Sequence, residues 1–195
     1  MIEASLAQAR EYIRGALLDV GCGRKPYRDT YFSGAQTYTG VDYLTDRSEP
    51  DIVASATDLP LNDKSFDTVV STEVLEHVAE PLRALREMQR VLKPGGYLIL
   101  TTPMYWPRHE VPYDFFRYPY DGLLYLIKES GFELVRMFNR GNSYAFVGQV
   151  IQHGLATFLG LKVIRSAINT FFLWCDRRHR YDALTLGWTV VARRP

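Results

Sequence analysis

Cysteine is scarce in this chain of 195 residues, which holds only Cys22 and Cys175. The two lie far apart and no C-x-x-C pair or other metal-ligand spacing occurs, so neither a disulfide framework nor a metal site is expected. An apolar signal-peptide segment is also missing from the first residues, which include Glu3, Arg10 and Glu11. These absences predict a cytoplasmic protein.

A strong net charge is absent as well, since the formal charge is only +1. Residues 1–139 carry 15 Lys and Arg against 20 Asp and Glu, whereas residues 140–195 carry 8 against 2. The basic C-terminal quarter points to an anionic partner, and we expect no nucleic acid among the partners. The length and an apolar content of 47% predict one globular domain over residues 1–195.

The chain does have a glycine turn directly after a short apolar run. Residues 17–20 read Leu-Leu-Asp-Val, which is typical of a buried strand in a parallel sheet. At Gly21 and Gly23 the backbone has no Cβ, so it can turn sharply and let a ligand lie close to it. Pro26 suits the first turn of a helix, which we expect to continue over residues 28–32. This order predicts a nucleotide-type pocket at the carboxyl end of the strand.

A second acidic residue stands at the end of the next predicted strand, residues 37–42. Asp42 lies about 20 residues beyond the glycines, the spacing at which Rossmann-like folds place a carboxylate on ribose hydroxyls. One carboxylate can accept hydrogen bonds from both vicinal hydroxyls. The alternative is a solvated aspartate at a strand end. A dinucleotide fingerprint would need a third glycine where Pro26 stands, which disfavours an NAD-dependent oxidoreductase.

Residues 17–102 resemble the class I S-adenosylmethionine-dependent methyltransferases of the type 11 kind. Four segments carry the resemblance: Asp19-Val20-Gly21-Cys22-Gly23, the pair Asp58-Leu59, the run Ser-Thr-Glu-Val-Leu-Glu-His-Val at 71–78, and Leu-Lys-Pro-Gly-Gly at 92–96. The chain departs from the family in having Lys25 where a third glycine is usual. The order and spacing of the four segments are more specific than any one of them.

The resemblance implies S-adenosylmethionine (SAM) as cofactor. In the family, the residue matching Asp58 accepts a hydrogen bond from the adenine amino group, and the backbone of its neighbour Leu59 reads the ring. Glu73 would lie beside the methionine end. The implied cofactor-binding set is Asp19, Gly21, Cys22, Gly23, Asp42, Tyr43, Asp58, Leu59 and Glu73.

The resemblance also implies the fold, an α/β Rossmann-like doubly wound sheet of seven strands with strand 7 antiparallel. Apolar runs predict strands at residues 17–20, 37–42, 51–54, 66–71, 97–102, 132–138 and 184–192. Helices are predicted at residues 3–14, from Pro81 and over 120–131. Residues 141–180 exceed the minimal fold and are predicted to form a helical insertion before the last strand.

The loop at 103–120 is rich in prolines, aromatics and ionisable groups, and it would overhang the cofactor's methyl group. Our candidate general base is His109, because imidazole titrates near neutrality. Glu110 or Asp114 could orient this imidazole or the acceptor, and Arg117 could hold a carboxylate or phosphate. These four are the candidate catalytic residues. The alternative is that Arg117 pairs with Asp114 or Glu110 and braces the loop.

The predicted insertion at 141–180 combines apolar stretches with the basic residues Arg177, Arg178 and Arg180. Three roles fit this composition: a homodimer interface, a roof over the substrate, or a membrane-surface patch that contacts a lipid-linked substrate. The alternative to membrane contact is that the apolar residues fold back onto the sheet or a second subunit. Those residues are Phe146, Val150, Phe158, Phe171 and Phe172.

Together these features predict a SAM-dependent methyltransferase that acts on an oxygen or nitrogen of a small molecule, for which a glycan or lipid-linked sugar is one candidate. A sugar hydroxyl or amine is our first guess, and a carbon acceptor is left open. The protein would be cytoplasmic or peripheral to the membrane. The competing class is a non-catalytic module that binds SAM or a nucleotide.

Overall fold

A seven-stranded sheet organises the computed structural model, which describes residues 1–46, 48–156, 162–178 and 184–195. The spatial order is β3-β2-β1-β4-β5-β7-β6. Strands β1 to β5 run parallel, and β7 is antiparallel to both β5 and β6. The predicted doubly wound sheet with an antiparallel last strand is confirmed. The strands are β1 Ala16–Val20, β2 Thr37–Asp42, β3 Ile52–Val53, β4 Phe66–Thr72, β5 Leu92–Pro103, β6 Glu133–Asn139 and β7 Gly187–Arg193.

Helices cover both faces of the sheet. They are α1 Ile2–Ala9, α2 Pro81–Val91, α3 Tyr120–Glu129, α4 Ser143–Ile151 and α5 Lys162–Arg178. Successive strand residues point to opposite faces, so Leu17 packs in the same cluster as Leu6 of α1, whereas Leu18 joins the cluster of Leu85 in α2 and Leu123 in α3. With apolar side chains buried on both faces, β1 is an interior strand of the sheet, flanked by β2 and β4.

The predicted helix at 28–32 after the glycine turn was wrong, since residues 21–36 form turns. Lys25 has φ +55°, in the left-handed region, so a right-handed helix could begin only after it. A single turn then closes through the N–H groups of Tyr31 and Phe32 on the carbonyl of Tyr27. Strand β5 also begins earlier than predicted, at Leu92.

The insertion contains α4, a π-helical turn Gln152–Ala156 and α5. Asp176 Oδ1 accepts the N–H groups of Asn142 and Ala145 at 2.9 and 3.2 Å, which ties the end of α5 to the start of α4. Phe171 and Trp174 remain 57% and 51% exposed. Of the other apolar residues that fold back in the alternative to membrane contact, Phe146 and Phe172 are half-buried, Val150 is 39% exposed, and Phe158 lies outside the described residues.

Of the predicted basic cluster, Arg178 is exposed and its guanidinium lies 5.0 Å from the Trp174 ring centroid. Arg180 and the side chain of Arg177 lie outside the described residues. Within the described part of the chain, none of the helices is both long and apolar enough to cross a bilayer.

Candidate active site

A cavity of about 730 Å³ opens beyond the carboxyl ends of β1, β2 and β4. The topology explains its position, because parallel strands present their carboxyl ends at one edge, and β1 is where the strand order reverses. One wall of the cavity is formed by the glycine turn and the end of β2. The opposite wall is formed by the turn after β4 and the loop after β5. Its polar lining includes Asp42, Ser55, Thr57, Glu73, His77 and His109.

The glycine turn brings main chain to the cavity wall. Gly21 has φ +78°, and a Cβ built there would lie 2.2 Å from Val74 Cγ2. Gly23 has φ +52°, and a Cβ there would meet nothing within 4 Å. The first glycine therefore allows β1 and the turn after β4 to pack closely, while the second leaves open space where a ligand can approach the backbone.

Asp42 closes the same turn from the end of β2. Its Oδ2 accepts the N–H of Gly23 at 2.9 Å, and its Oδ1 accepts the N–H of Leu44 at 3.0 Å. Each carboxylate oxygen can accept a further hydrogen bond, because it has two lone pairs. Tyr43 follows, is 67% exposed and also lines the cavity. The predicted ribose-binding acid therefore reaches the cavity with acceptor capacity remaining.

Glu73 stands opposite, at the end of β4, with φ +53°. Its carboxylate accepts the hydroxyl of Thr101 at 2.8 Å and the guanidinium of Arg140 at 3.0 Å. Arg140 is only 6% exposed and also donates to the carbonyl of Thr102 at 2.9 Å. These contacts fix the Glu73 carboxylate at the cavity wall, where it can accept from an ammonium group.

The loop between β5 and α3 forms the outer wall and is braced by one ion pair. Arg117 donates to both oxygens of Asp114, at 2.6 and 3.0 Å, and also to the carbonyls of Trp106, Phe116 and Pro107. The guanidinium holds the pKa of the Asp114 carboxyl well below its usual range. This geometry is the bracing arrangement, in which Asp114 also accepts the backbone N–H of His109 at 2.9 Å.

Two imidazoles and a buried acid meet where this loop contacts the turn after β4. The rings of His77 and His109 are edge to face, with centroids 4.7 Å apart. Glu76 is 1% exposed, and its backbone carbonyl accepts the N–H groups of Phe115 and Phe116 from the loop. Burial, with the charge of Glu73 as a smaller cause, raises the pKa of the Glu76 carboxyl to about 8.

Comparison with known proteins gives several methyltransferases. Residues 18–100 match the family described as a methyltransferase domain. An uncharacterized methyltransferase of Mycolicibacterium vanbaalenii is 38% identical over 101 residues, 44% of this chain and 38% of that protein. A ubiquinone biosynthesis O-methyltransferase of Paracidovorax citrulli is 34% identical over 104 residues, 44% of this chain and 42% of that protein. The matches thus span less than half of these curated relatives.

The fold is shared with a solved S-adenosylmethionine dependent methyltransferase from Mesorhizobium loti. That structure superposes with a TM-score of 0.64 at 19% identity, over 100% of this chain and 98% of the other. Residues 18–100, less than half of this chain, are similar to the methyltransferase domain, and the whole chain shares the methyltransferase fold. The cavity lies at the carboxyl edge of the sheet and is lined by Gly21 and Gly23 of the predicted glycine motif.

Four of the residues predicted to bind the methyltransferase cofactor are not among those that line the cavity. Asp19 is 3% exposed, and its Oδ2 accepts the hydroxyl of Tyr38 at 2.6 Å behind the glycine turn. Cys22 is 2% exposed, and its N–H donates to the carbonyl of Val41. Both residues support the turn from behind. Gly21, Gly23, Asp42, Tyr43 and Glu73 do line the cavity.

The other two, Asp58 and Leu59, lie beyond the cavity. Asp58 is exposed, while Leu59 is 3% exposed in the core and donates its N–H to Glu87 Oε2 at 2.9 Å. The wall is formed instead by residues 54–57. These follow β3 directly, so the rule that ligands bind beyond strand ends would have selected them.

Of the four candidate catalytic residues, His109 and Glu110 line the cavity, whereas Asp114 and Arg117 are absent from its lining. Sequence reasoning assigned no site role to Glu76 and Arg140. Glu76 lies within the recognised 71–78 segment, and its polarity among apolar neighbours was the available signal. Arg140 is 67 positions away from Glu73 in the sequence, and no sequence signal linked it to the site.

Proposed function

We propose that this protein transfers a methyl group from SAM to an oxygen or nitrogen of a small-molecule acceptor. One observation carries the proposal: a single cavity joins the glycine turn and Asp42 to a pair of histidines 4.7 Å apart between ring centroids. The first side suits a nucleoside, and the second suits the handling of a proton on an acceptor.

The residues present fit SAM in shape and charge. The open backbone at Gly23 leaves room for the ligand, and Asp42 keeps lone pairs for two ribose hydroxyls. SAM carries a sulfonium and an ammonium charge, and the cavity wall includes the acids Asp42, Glu73 and Glu80. We assign the ammonium group to Glu73 and the adenine to the wall formed by residues 54–57.

At the acceptor end, His109 is our candidate general base. Bound SAM supplies an electrophilic methyl group, and the protein must hold the acceptor in line with it, about 3 Å away. An imidazole that takes the acceptor's proton contributes about 10²- to 10⁴-fold to the rate. Asp114 positions His109 through its backbone N–H, and Arg117 holds Asp114.

The acceptor pocket favours a molecule with a ring. Tyr113 and Phe115, which are 52% and 46% exposed, line the cavity near His77 and His109. Exposed aromatic faces stack well on flat or cyclic ligands. The Paracidovorax relative is a ubiquinone biosynthesis O-methyltransferase, which supports an oxygen acceptor, although a sugar hydroxyl or amine also fits.

An NAD-dependent oxidoreductase is the weaker alternative on structural grounds. Dinucleotide enzymes bind the pyrophosphate at the N-terminus of the helix that follows the glycine turn. Residues 21–36, all within the described part of the chain, form turns instead. The aspartate at the end of β2 serves either cofactor and does not discriminate between them.

The test is a methyl-transfer assay with SAM and a panel of phenols, sugars, lipid-linked sugars and amines, read by mass spectrometry for a methyl increment. We expect a methylated product from at least one class, and a large loss of kcat in His109→Ala with SAM affinity near wild type. If SAM binds and none of the classes is methylated, the proposal of catalysis fails and a non-catalytic SAM-binding module takes its place.

A further inference from the structure

Glu76, His77 and His109 form a cluster that can offer three metal ligands. One carboxylate oxygen and one nitrogen from each imidazole lie within 4.8 Å of one another. Glu76 is 1% exposed, and its Oε2 has no hydrogen-bond partner among the described residues. A buried carboxylate oxygen without a donor is unfavourable unless a proton or a cation compensates it.

The His77 imidazole is oriented as metal ligands usually are. Its Nδ1 lies 2.7 Å from the carbonyl of Tyr113, and a carbonyl partner fits a protonated Nδ1, which leaves the lone pair on Nε2. Such contacts to the second ring nitrogen fix the tautomer and the ring direction in metal sites. His109 Nδ1 lies 3.2 Å from the carbonyl of Pro107 and 3.4 Å from Nη2 of Arg117, so either ring nitrogen of His109 can carry the lone pair.

The distance between Glu76 and His77 also fits an ion better than a hydrogen bond. Glu76 Oε1 lies 3.8 Å from His77 Nε2, beyond hydrogen-bonding distance. Ligand atoms around a tetrahedral ion with bonds of 2.0–2.2 Å lie roughly 3.4 Å apart, so small rotations would bring both atoms to such an ion.

We propose that Glu76, His77 and His109 bind one divalent transition-metal ion at the acceptor end of the cavity. Two imidazoles and one carboxylate favour Zn²⁺, Fe²⁺, Co²⁺ or Mn²⁺ over Mg²⁺ and Ca²⁺, which prefer oxygen ligands. Three protein ligands leave positions open for a substrate atom. Because His77 and His109 line the cavity, the open positions face the acceptor.

The consequence for the reaction rests on the proposed function. An acceptor hydroxyl held by the ion would lose its proton more readily, and the proton would pass to solvent. The oxygen then bonds to the methyl carbon as the carbon–sulfur bond breaks, and that electron pair stays on sulfur as a neutral thioether. The ion thus takes over the role proposed above for the His109 imidazole, and it favours an oxygen acceptor.

Titration with Co²⁺ tests the site without any acceptor. The full chain, without a histidine tag, is freed of metal with a chelator, and Co²⁺ is added while its visible absorption is followed. We expect one Co²⁺ per chain, displaced by Zn²⁺. Glu76→Gln and His109→Ala should weaken Co²⁺ binding at least about 10-fold, since each removes a ligand.

His153→Gln is the control, because this histidine is outside the cluster and its Nε2 contacts Gln149. It should bind Co²⁺ as the wild type does, and thermal melting shows whether each variant is folded. Wild-type affinity in folded His109→Ala, or no binding of Co²⁺ by the wild type, overturns the metal site. SAM calorimetry on the same samples separates this result from a failure of the proposed function.

Discussion

Asp19 allows a test of how the glycine turn is supported. Its carboxyl group is 3% exposed on β1, accepts one hydrogen bond from Tyr38, and has no partner for Oδ1 among the described residues. Burial is the main reason that its pKa is raised from 3.8 to about 7, against the smaller effect of the Tyr38 hydrogen bond. Asp19→Asn keeps the shape of the side chain and removes the ionisation.

The sign follows from proton linkage. Between pH 3.8 and about 7 the folded protein holds a proton on Asp19 that the unfolded chain has lost, so the free energy of unfolding falls as pH rises. At 1.36 kcal/mol per pH unit, the decrease sums to about 4 kcal/mol by pH 7 and then levels off. The Asn variant lacks this decrease. Its stability relative to wild type should therefore rise by up to about 4 kcal/mol between pH 4 and 7.

Urea denaturation of both proteins at several pH values from 4 to 8 measures the difference. Asp58→Asn is the matched control, because it makes the same chemical change at an exposed position, and its difference from wild type should stay nearly flat. A flat difference for Asp19→Asn would refute the reasoning, since it would mean that the Asp19 carboxyl titrates alike in the folded and unfolded chains.

Four further predictions concern the site and the insertion. Asp42→Ala should weaken SAM binding by about 1–3 kcal/mol while the fold survives, and unchanged calorimetric affinity would remove Asp42 from the site. Gly21→Ala should lower the free energy of unfolding by about 1–3 kcal/mol, because the added Cβ would clash with Val74. Gly154→Ala is the control and should not lower it, because a Cβ there meets open space. Equal melting temperatures of the two variants would contradict this prediction. Asp114→Ala should speed amide exchange in the loop at 104–119, and unchanged exchange would mean that the ion pair does not brace it. Liposome flotation should bring the protein to anionic vesicles at low salt, and a protein soluble in every condition excludes membrane contact by the insertion.

The sheet could be predicted because its signals are local. Buried parallel strands read as short apolar runs, and the glycine turn, Asp42 and the 71–78 segment stand at strand ends, where ligands bind. The helix expected after Pro26 is wrong. Only a single turn closes there, on the carbonyl of Tyr27, and it does not extend into a helix.

The remaining part of the site depends on contacts between distant residues. Arg140 reaches Glu73 across 67 positions of the chain, and the cluster with His109 needs the loop after β5 to lie on the turn after β4. The role of Asp58 stays a prediction. An acid within a recognised motif suggested a ligand contact, and the cavity wall is formed by the residues immediately before it.

Titration calorimetry of the full chain with SAM and, separately, with NADH tests the central claim most directly. We predict that SAM binds with one equivalent per chain and that NADH does not bind. SAM affinity should fall in Asp42→Ala and stay unchanged in Asp58→Ala, because only Asp42 lines the cavity. Binding of NADH without SAM, or a larger loss in Asp58→Ala than in Asp42→Ala, would contradict the account.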